Sequence, residues 1–165
     1  MNRIVFVVLT VLILLGLLLS LFAQAVILPG IAADEVEYFP PYEPYRAPLL
    51  AAGIAFIACA QVSLAALWAL LFRAHTGVFF RPGSRPWVIT ISAAIGVATL
   101  LTVGLFLFLT FAEFPTPADG METLGLWMLS GLGCLIGTAL LGVMFVAHRL
   151  VERATSAQIE LDGVL

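Results

Sequence analysis

Four long apolar runs dominate the sequence, and none of them contains Asp, Glu, Lys, Arg or His. They cover residues 4–28, 48–72, 87–111 and 124–147. A helix rises about 1.5 Å per residue, so such runs reach roughly 36 Å and cross a hydrocarbon core of about 30 Å with some tilt. Lipid offers the backbone no hydrogen-bond partners, and barrel strands would be shorter and alternating. The runs therefore predict four transmembrane helices.

The composition agrees with a membrane protein. Of the 165 residues, 62% are hydrophobic and 10% are charged, whereas a soluble domain carries about a quarter charged residues. The length suits one domain, here residues 1–165 as a single membrane domain. The formal net charge of −3 argues against a nucleic-acid partner, because such binding needs a concentrated basic face.

The arginines are divided unequally between the two sides of the predicted spans. Six of the seven fall on the side that holds both chain ends, and only Arg46 falls on the other. Basic residues stay cytoplasmic, so we expect both termini in the cytoplasm. Residues 73–86 are then an inner loop and 148–165 an inner tail, whereas 29–47 and 112–123 are outer loops. Seven of the ten acidic residues lie in the outer loops.

The first run also resembles a signal peptide, since Arg3 precedes it and Ala23-Gln24-Ala25 offers a small-residue cleavage site. The apolar stretch before Ala23 has 19 residues, however, and a signal peptide's apolar region has about 7–15. We therefore expect a retained membrane anchor.

The spacing of the spans predicts how the helices pack. Connections of 19, 14 and 12 residues favour an all-α, four-helix transmembrane bundle in which sequential neighbours are antiparallel. Helices in lipid associate through close approach at small residues. Gly133 and Gly137 form such a GxxxG pair, for which packing within the bundle is favoured over a dedicated dimer motif. The first helix is mostly Leu, Ile and Val, and we expect it to be the most lipid-exposed.

The spans hold no group suited to chemistry. Transporters, proton relays and haem bundles place ionisable or ligating groups inside the membrane, but His75 and His148 lie outside the runs. Polar residues such as Ser20, Gln24 and Gln61 are expected to be satisfied by a neighbouring helix or by their own backbone. Because no catalytic motif is present, we expect neither an enzyme nor a cofactor.

Two cysteines, Cys59 and Cys134, lie at similar depth in their spans. Thiolates are soft ligands that Cu(I) favours, and two of them at the same depth could bind one ion. A copper site is therefore an alternative. A cysteine in an apolar run also behaves as a small buried hydrophobe. We favour that interpretation and expect no metal site.

The inner face is the first of two candidate binding surfaces. Arginines interleaved with phenylalanine suit anionic membrane lipids and equally a partner protein. The tail continues the fourth helix with Leu150, Ala154, Ala157 and Leu161 on one stripe, which could fold back onto the inner loop or receive a partner helix. The candidate residues of the inner face are Arg73, His75, Phe79, Phe80, Arg81, Arg85, Arg149 and Arg153.

The first outer loop is the second candidate surface. Its prolines predict an extended, polyproline-like conformation, and its tyrosines offer contact area. The loop could dock a partner or a cation, or it could rest its aromatic rings on the headgroups. The candidate residues are Glu37, Tyr38, Tyr42 and Tyr45.

The order of these parts resembles a bacterial family catalogued as domain of unknown function 2975. The similarity lies in the long outer loop, the Gly-Val-Phe-Phe turn at residues 77–80 and the Glu-Leu-Asp-Gly-Val-Leu ending at residues 160–165. Arg81 departs from the serine that commonly follows the turn in that family. The resemblance implies a four-span protein of a bacterial inner membrane. Members are often encoded beside small helix-turn-helix regulators, which implies a regulatory or sensory role.

Three functions follow as hypotheses. The first is a non-enzymatic module whose inner loop and tail engage another protein, such as a small cytoplasmic regulator. The second is an accessory subunit of a larger membrane complex. A small transporter or channel comes third, because the spans lack ionisable residues.

Overall fold

The computed structural model describes residues 3–76, 85–112, 115 and 121–162. Within these residues the chain is helical throughout, apart from short turns, and has no strand. Four helical stretches are long and apolar enough to cross a membrane: Arg3–Tyr38, Pro40–His75, Pro86–Phe111 and Thr123–Ala147. The predicted all-helical class, with four helices long and apolar enough to cross a membrane, is therefore confirmed for the described residues. The elements are α1 Arg3–Phe22, a π-helical turn Ala23–Ile27, α2 Leu28–Tyr38, a 3₁₀ turn Pro40–Tyr42, α3 Glu43–His75, α4 Arg85–Phe111 and α5 Met121–Asp162.

The segment predicted as an extended outer loop, residues 29–47, is mostly helical, so that prediction is wrong. The helical stretch that begins with α1 continues to Tyr38, and α3 already begins at Glu43. Only Phe39 has an extended backbone, with φ −135° and ψ 90°. Pro44 stands in the first turn of α3, where a missing N–H breaks no helical bond. Pro29 lies just after the π-helical turn and is accommodated inside the first helical stretch. Neither proline prevents helix formation here.

The helices pack in a row. Among the described residues, extended contacts join α1 and α2 to α3, α3 to α4, and α4 to α5. The spans at the two ends of the row are the least buried, since 6% of the most apolar stretch is buried in the first span and 6% in the fourth. The corresponding fractions are 11% and 17% for the second and third spans. Helix α1 is thus as exposed as predicted, but α5 matches it.

Most large apolar side chains point away from the protein. Leu100 and Leu135 are each 71% exposed, and Phe111 is 80% exposed. Soluble monomers rarely carry apolar surface on this scale, whereas lipid solvates it. The buried residues within the described chain are few and mostly small: Ile13, Ala66, Leu70, Ala94, Thr99 and Ser130.

Glycines bring α5 close to α4. A Cβ atom on Gly133 would lie 2.7 Å from Cγ2 of Thr102, and one on Gly137 would overlap Thr99. Because real Cβ atoms do not approach so closely, only glycine permits this helix separation. The GxxxG pair therefore packs inside the molecule, against the third span.

Helix α5 is longer than a membrane is thick. It has 42 residues, which corresponds to about 63 Å at about 1.5 Å per residue. The apolar stretch ends at Ala147, and the helix continues to Asp162. The predicted continuation of the fourth helix into the tail is confirmed for its backbone.

Candidate functional site

A hydrogen-bonded polar network joins α1 to α3 in the middle of their spans. The side-chain amide of Gln61 donates to Oε1 of Gln24 over 2.8 Å and to Oγ of Ser20 over 3.1 Å. Gln24 in turn donates from Nε2 to the carbonyl of Ile54 over 2.9 Å. The Ser20 hydroxyl donates to the Leu17 carbonyl over 2.8 Å. Unpaired amides are costly in lipid, so the network satisfies groups that the surroundings could not.

The π-helical turn places Gln24 in this network. Its wide geometry is defined by the N–H of Leu28, which donates to the carbonyl of Ala23, five residues earlier. Immediately after the turn, Leu28 lies against Gly53 of α3, where an added Cβ would come within 2.7 Å of Leu28 Cδ2. Gln24 and Leu28 therefore both face α3. Gln24 lies inside the turn, and Leu28 directly follows it.

The need for a wide turn follows from the spacing of the residues that face α3. Gly16, whose missing Cβ would lie 3.5 Å from Leu64, is followed by Ser20, Gln24 and Leu28 in steps of four. In an α-helix a step of four residues overshoots a full turn by about 40°. A turn closed by an i→i+5 bond contains an extra residue and returns the stripe to α3.

The network was predicted only in part. The sequence identifies the polar residues and predicts that each finds a partner in a helix or in its own backbone. It does not show that Ser20, Gln24 and Gln61 meet one another. The four-residue spacing of Ser20 and Gln24 was the available signal, since it places both side chains on neighbouring turns of one face.

The opposite ends of the helices carry opposite charge. At the acidic end, defined by residues 34–46, Asp34 and Glu37 of α2 and Glu43 of α3 are exposed. The four candidate residues of this region divide into two pairs. Glu37 and Tyr38 are exposed, with Tyr38 70% accessible, whereas Tyr42 and Tyr45 are half-buried.

Tyr42 and Tyr45 contact other helices. The Tyr42 hydroxyl lies 3.5 Å from Oγ1 of Thr123 in α5, and its ring meets Phe39 edge-on at 4.9 Å. The Tyr45 ring lies 5.9 Å from that of Phe108 in α4. These two tyrosines therefore hold the acidic end together, and only Glu37 and Tyr38 of the predicted set present free surface.

The basic end holds Arg3, Arg73 and Arg149. There, Phe6 of α1 meets Phe72 and His75 of α3. The imidazole of His75 stacks on Phe6, with ring centroids 4.2 Å apart and planes inclined by 15°. Phe72 approaches Phe6 from the preceding turn at 6.5 Å. Arg73 is half-buried and His75 is exposed. Phe6 thus packs against the last turn of α3, which precedes the predicted inner loop in the sequence.

Among the other predicted residues of the inner face, the structure describes the side chain of Arg149. The guanidinium of Arg149 lies 4.8 Å above the ring of Phe145, one turn earlier in α5. The backbones of Arg85 and Arg153 belong to α4 and α5, but their side chains lie outside the described part of the structure. Phe79, Phe80 and Arg81 also lie outside the described residues.

The thiols are free and half-buried. Cys59 belongs to α3 and Cys134 to α5, two helices that both pack on α4 and share no extended contact among the described residues. Within the same residues, no three His, Cys, Asp or Glu side chains converge on one point. The helix arrangement gives no support to the copper alternative.

Together, the four apolar helices and their outward-facing apolar side chains define a multi-pass helical membrane protein. The chain matches the family described as protein of unknown function (DUF2975) over residues 30–165, and it belongs to that family. The match extends from α2 to the end of the tail and confirms the resemblance noted from the sequence. Comparison with curated proteins and with solved structures gives no match.

Proposed function

We propose that the protein is a non-enzymatic membrane module that engages another protein through its basic end and acts in regulation or sensing. The observation that carries this proposal is the length of α5, which continues as a helix from Ala147 to Asp162, beyond the apolar stretch. A helix that extends beyond its membrane-spanning part offers a rigid surface to a partner outside the lipid. The proposed partner is a small cytoplasmic regulator.

The proposal includes an orientation in a bacterial cell membrane. Antiparallel packing of the first two spans is supported by two contacts, because Phe6 of α1 meets His75 whereas Leu28 of α2 meets Gly53. The same order holds between α4 and α5, where Thr110 meets Trp127 and Gly96 lies beside Leu141. The excess of arginine at the basic end then supports a cytoplasmic location for both termini.

The chemistry of the tail supports a helical partner. In the sequence of α5, Leu150, Ala154, Ala157 and Leu161 recur at steps of four and three, the spacing of an apolar stripe that packs on another helix. Arg153 lies beside the stripe, so an amphipathic helix with acidic flanks would complement it. Anionic lipid headgroups are the second class of ligand for this end, through Arg3, Arg73 and Arg149.

The test is co-purification of tagged full-length protein from its native membrane in mild detergent. The stripe variant Ala157→Glu/Leu161→Gln is compared with the control Thr155→Ala/Ser156→Ala, which changes the opposite face. We expect a cytoplasmic protein that wild type and the control retain and that the stripe variant and a chain lacking residues 149–165 lose. Equal recovery of every cytoplasmic protein by all four chains would overturn the proposal.

An accessory subunit of a larger membrane complex is the second candidate. It is favoured by α1, which stands at one end of the helix row and exposes Ile4, Leu18 and Leu19 by 70%, 65% and 58%. In that case α1 and the exposed Glu37–Tyr38 surface would contact the neighbouring subunit. Native mass spectrometry from nanodiscs separates the two functions, because a stable hetero-complex of membrane subunits supports the second and a bare monomer or homomer opposes it.

A further inference from the structure

The π-helical turn divides the first helical stretch into two parts with separate contacts. Before the turn, α1 packs on α3 through Phe6 and Gly16. After it, α2 packs on α3 through Leu28 and carries the acidic residues Asp34, Glu35 and Glu37. The polar network lies at the junction, since Gln24 is the second residue of the turn. A change in the turn therefore alters the orientation of α2 without moving α1.

Two side-chain bonds of the network hold the turn itself, and a third, from Gln61 to Ser20, holds the last turns of α1. Gln24 accepts from Gln61 and donates to the Ile54 carbonyl, so its side chain is held at both ends by α3. Each of these bonds crosses between helices, and neither is part of the regular backbone pattern. In α-helical geometry this segment would be held by i→i+4 backbone bonds, except at Pro29, which lies just after the turn and has no N–H to donate.

We propose that the Ser20–Gln24–Gln61 network is a latch that holds the π-helical turn, and that opening it converts the turn to α-helix and rotates α2. The wide turn contains one residue more than an α-helical turn. Its conversion advances every following residue by about 100°, the rotation of one residue in an α-helix. This latch is a property of the chain itself and does not rest on the proposed partner.

The rotation makes a specific prediction for the acidic end. Each α2 residue would take the angular position that its successor holds in the latched state. Asp34 is exposed, whereas Glu35 and Val36 are half-buried and Glu37 is exposed. Opening the latch would therefore turn Asp34 into a half-buried position and turn Val36 out to an exposed one. The negative surface of α2 moves around the helix as a result.

The experiment measures these two positions directly. In a Cys59→Ala/Cys134→Ala background, single cysteines Asp34→Cys and Val36→Cys are labelled with a membrane-impermeant maleimide in liposomes of the full-length protein. With an intact network, we expect the cysteine at position 34 to react faster than the one at position 36. Gln61→Leu, which removes both donated bonds, should reverse this order. Gln24→Leu serves as a second latch variant if Gln61→Leu fails to fold.

Two controls make the outcome decisive. Ser63→Ala removes a hydroxyl of α3 that bonds only to the Cys59 carbonyl of its own helix, and it should leave the order unchanged. Deletion of Val26, which is 54% exposed within the turn, removes the extra residue, so adding Gln61→Leu to it should no longer reverse the order. An unchanged order in both latch variants overturns the proposal. So does an equal reversal in the deletion background, because that result indicates general loosening and no rotation through the turn.

Discussion

Nε2 of Gln61 lies 2.8 Å from Oε1 of Gln24 and donates a hydrogen bond to it, which joins the second span to the first. The two glutamines are 37 residues apart in the sequence. The other side-chain hydrogen bonds of the two glutamines go to Ser20 and to the Ile54 carbonyl. This bond is therefore the natural measure of how strongly α1 is held to α3.

A double-mutant cycle on this pair should show positive coupling. Each of Gln24→Leu and Gln61→Leu removes the shared bond, and interhelical bonds in lipid contribute about 0.6 kcal/mol on average and up to about 1.7 kcal/mol. We expect a coupling free energy in that range, measured by reversible unfolding in mixed micelles. Ser63→Ala combined with Gln24→Leu should be additive within about 0.5 kcal/mol. Additivity of the glutamine pair itself would show that the bond contributes nothing.

Two glycines of α5 should respond in opposite directions to alanine. At Gly137 the new methyl group meets Thr99, which forces the helices apart, and overpacking costs about 1–3 kcal/mol. At Gly142 no atom lies within 4 Å of the new methyl group, so the alanine should stabilise the helix by about 0.5–1 kcal/mol. Thermal unfolding in one detergent compares the two variants. A loss of stability for Gly142→Ala as large as for Gly137→Ala would contradict the packing of α4 on α5.

The number and class of the helices could be predicted because both depend on local composition. An apolar run without ionisable residues has few structures open to it in lipid, and the small residues Gly133 and Gly137 indicated a close helix contact. The conformation of residues 29–47 could not be predicted from composition alone. Pro44 is compatible with an extended chain and also with the first turn of a helix, and Pro29 with an extended chain and also with a helix that is widened just before it. Only the packing of Leu28, Tyr42 and Tyr45 on other helices selects the second.

The contacts of the polar network could not be predicted from the sequence for a different reason. Whether Ser20 and Gln24 face Gln61 depends on the rotation of α1 about its axis, and the π-helical turn changes that rotation within a single turn. A helix of uniform geometry would carry Leu28 about 40° further around than Gln24. The sequence therefore identifies the polar residues but does not show that their side chains face the same helix.

Replacing Trp127 by phenylalanine should isolate one further interhelical bond. The indole Nε1 donates to Oγ1 of Thr110 in α4 over 2.9 Å, and its ring lies 5.2 Å from that of Phe106. Phenylalanine retains an aromatic neighbour for Phe106 but lacks the donor, so we expect a loss of about 0.5–1.5 kcal/mol in unfolding free energy.

The matched control for that substitution is Trp68→Phe. Trp68 is 41% exposed, and as a lipid-facing residue it should tolerate phenylalanine within about 0.5 kcal/mol. Thr110→Val in the Trp127→Phe background should add little, because it then removes only the hydroxyl's bond to the Phe106 carbonyl of its own helix. An equal loss in the two single tryptophan variants would show that ring size and not the hydrogen bond determines the effect.

Thr10 presents the reverse case, a polar atom whose removal should stabilise the protein. Its Oγ1 is enclosed in the structure and has no hydrogen-bond partner among the described residues, whereas Thr99, Thr102 and Thr110 each donate to the carbonyl four residues earlier. An unpaired enclosed hydroxyl costs about 1–3 kcal/mol in proteins. Valine has nearly the same shape without the hydroxyl, so Thr10→Val should raise the unfolding free energy by about 1 kcal/mol.

The comparison for Thr10→Val is Thr138→Val, measured by the same unfolding titration. Thr138 is exposed and its hydroxyl donates to the Cys134 carbonyl over 2.7 Å, so its loss removes a satisfied bond on a lipid-facing surface. We expect a change of no more than about 0.5 kcal/mol there. A decrease in stability for Thr10→Val would mean that the Thr10 hydroxyl finds a partner in the membrane, and a water or a lipid oxygen beside Thr10 would then be the group to look for.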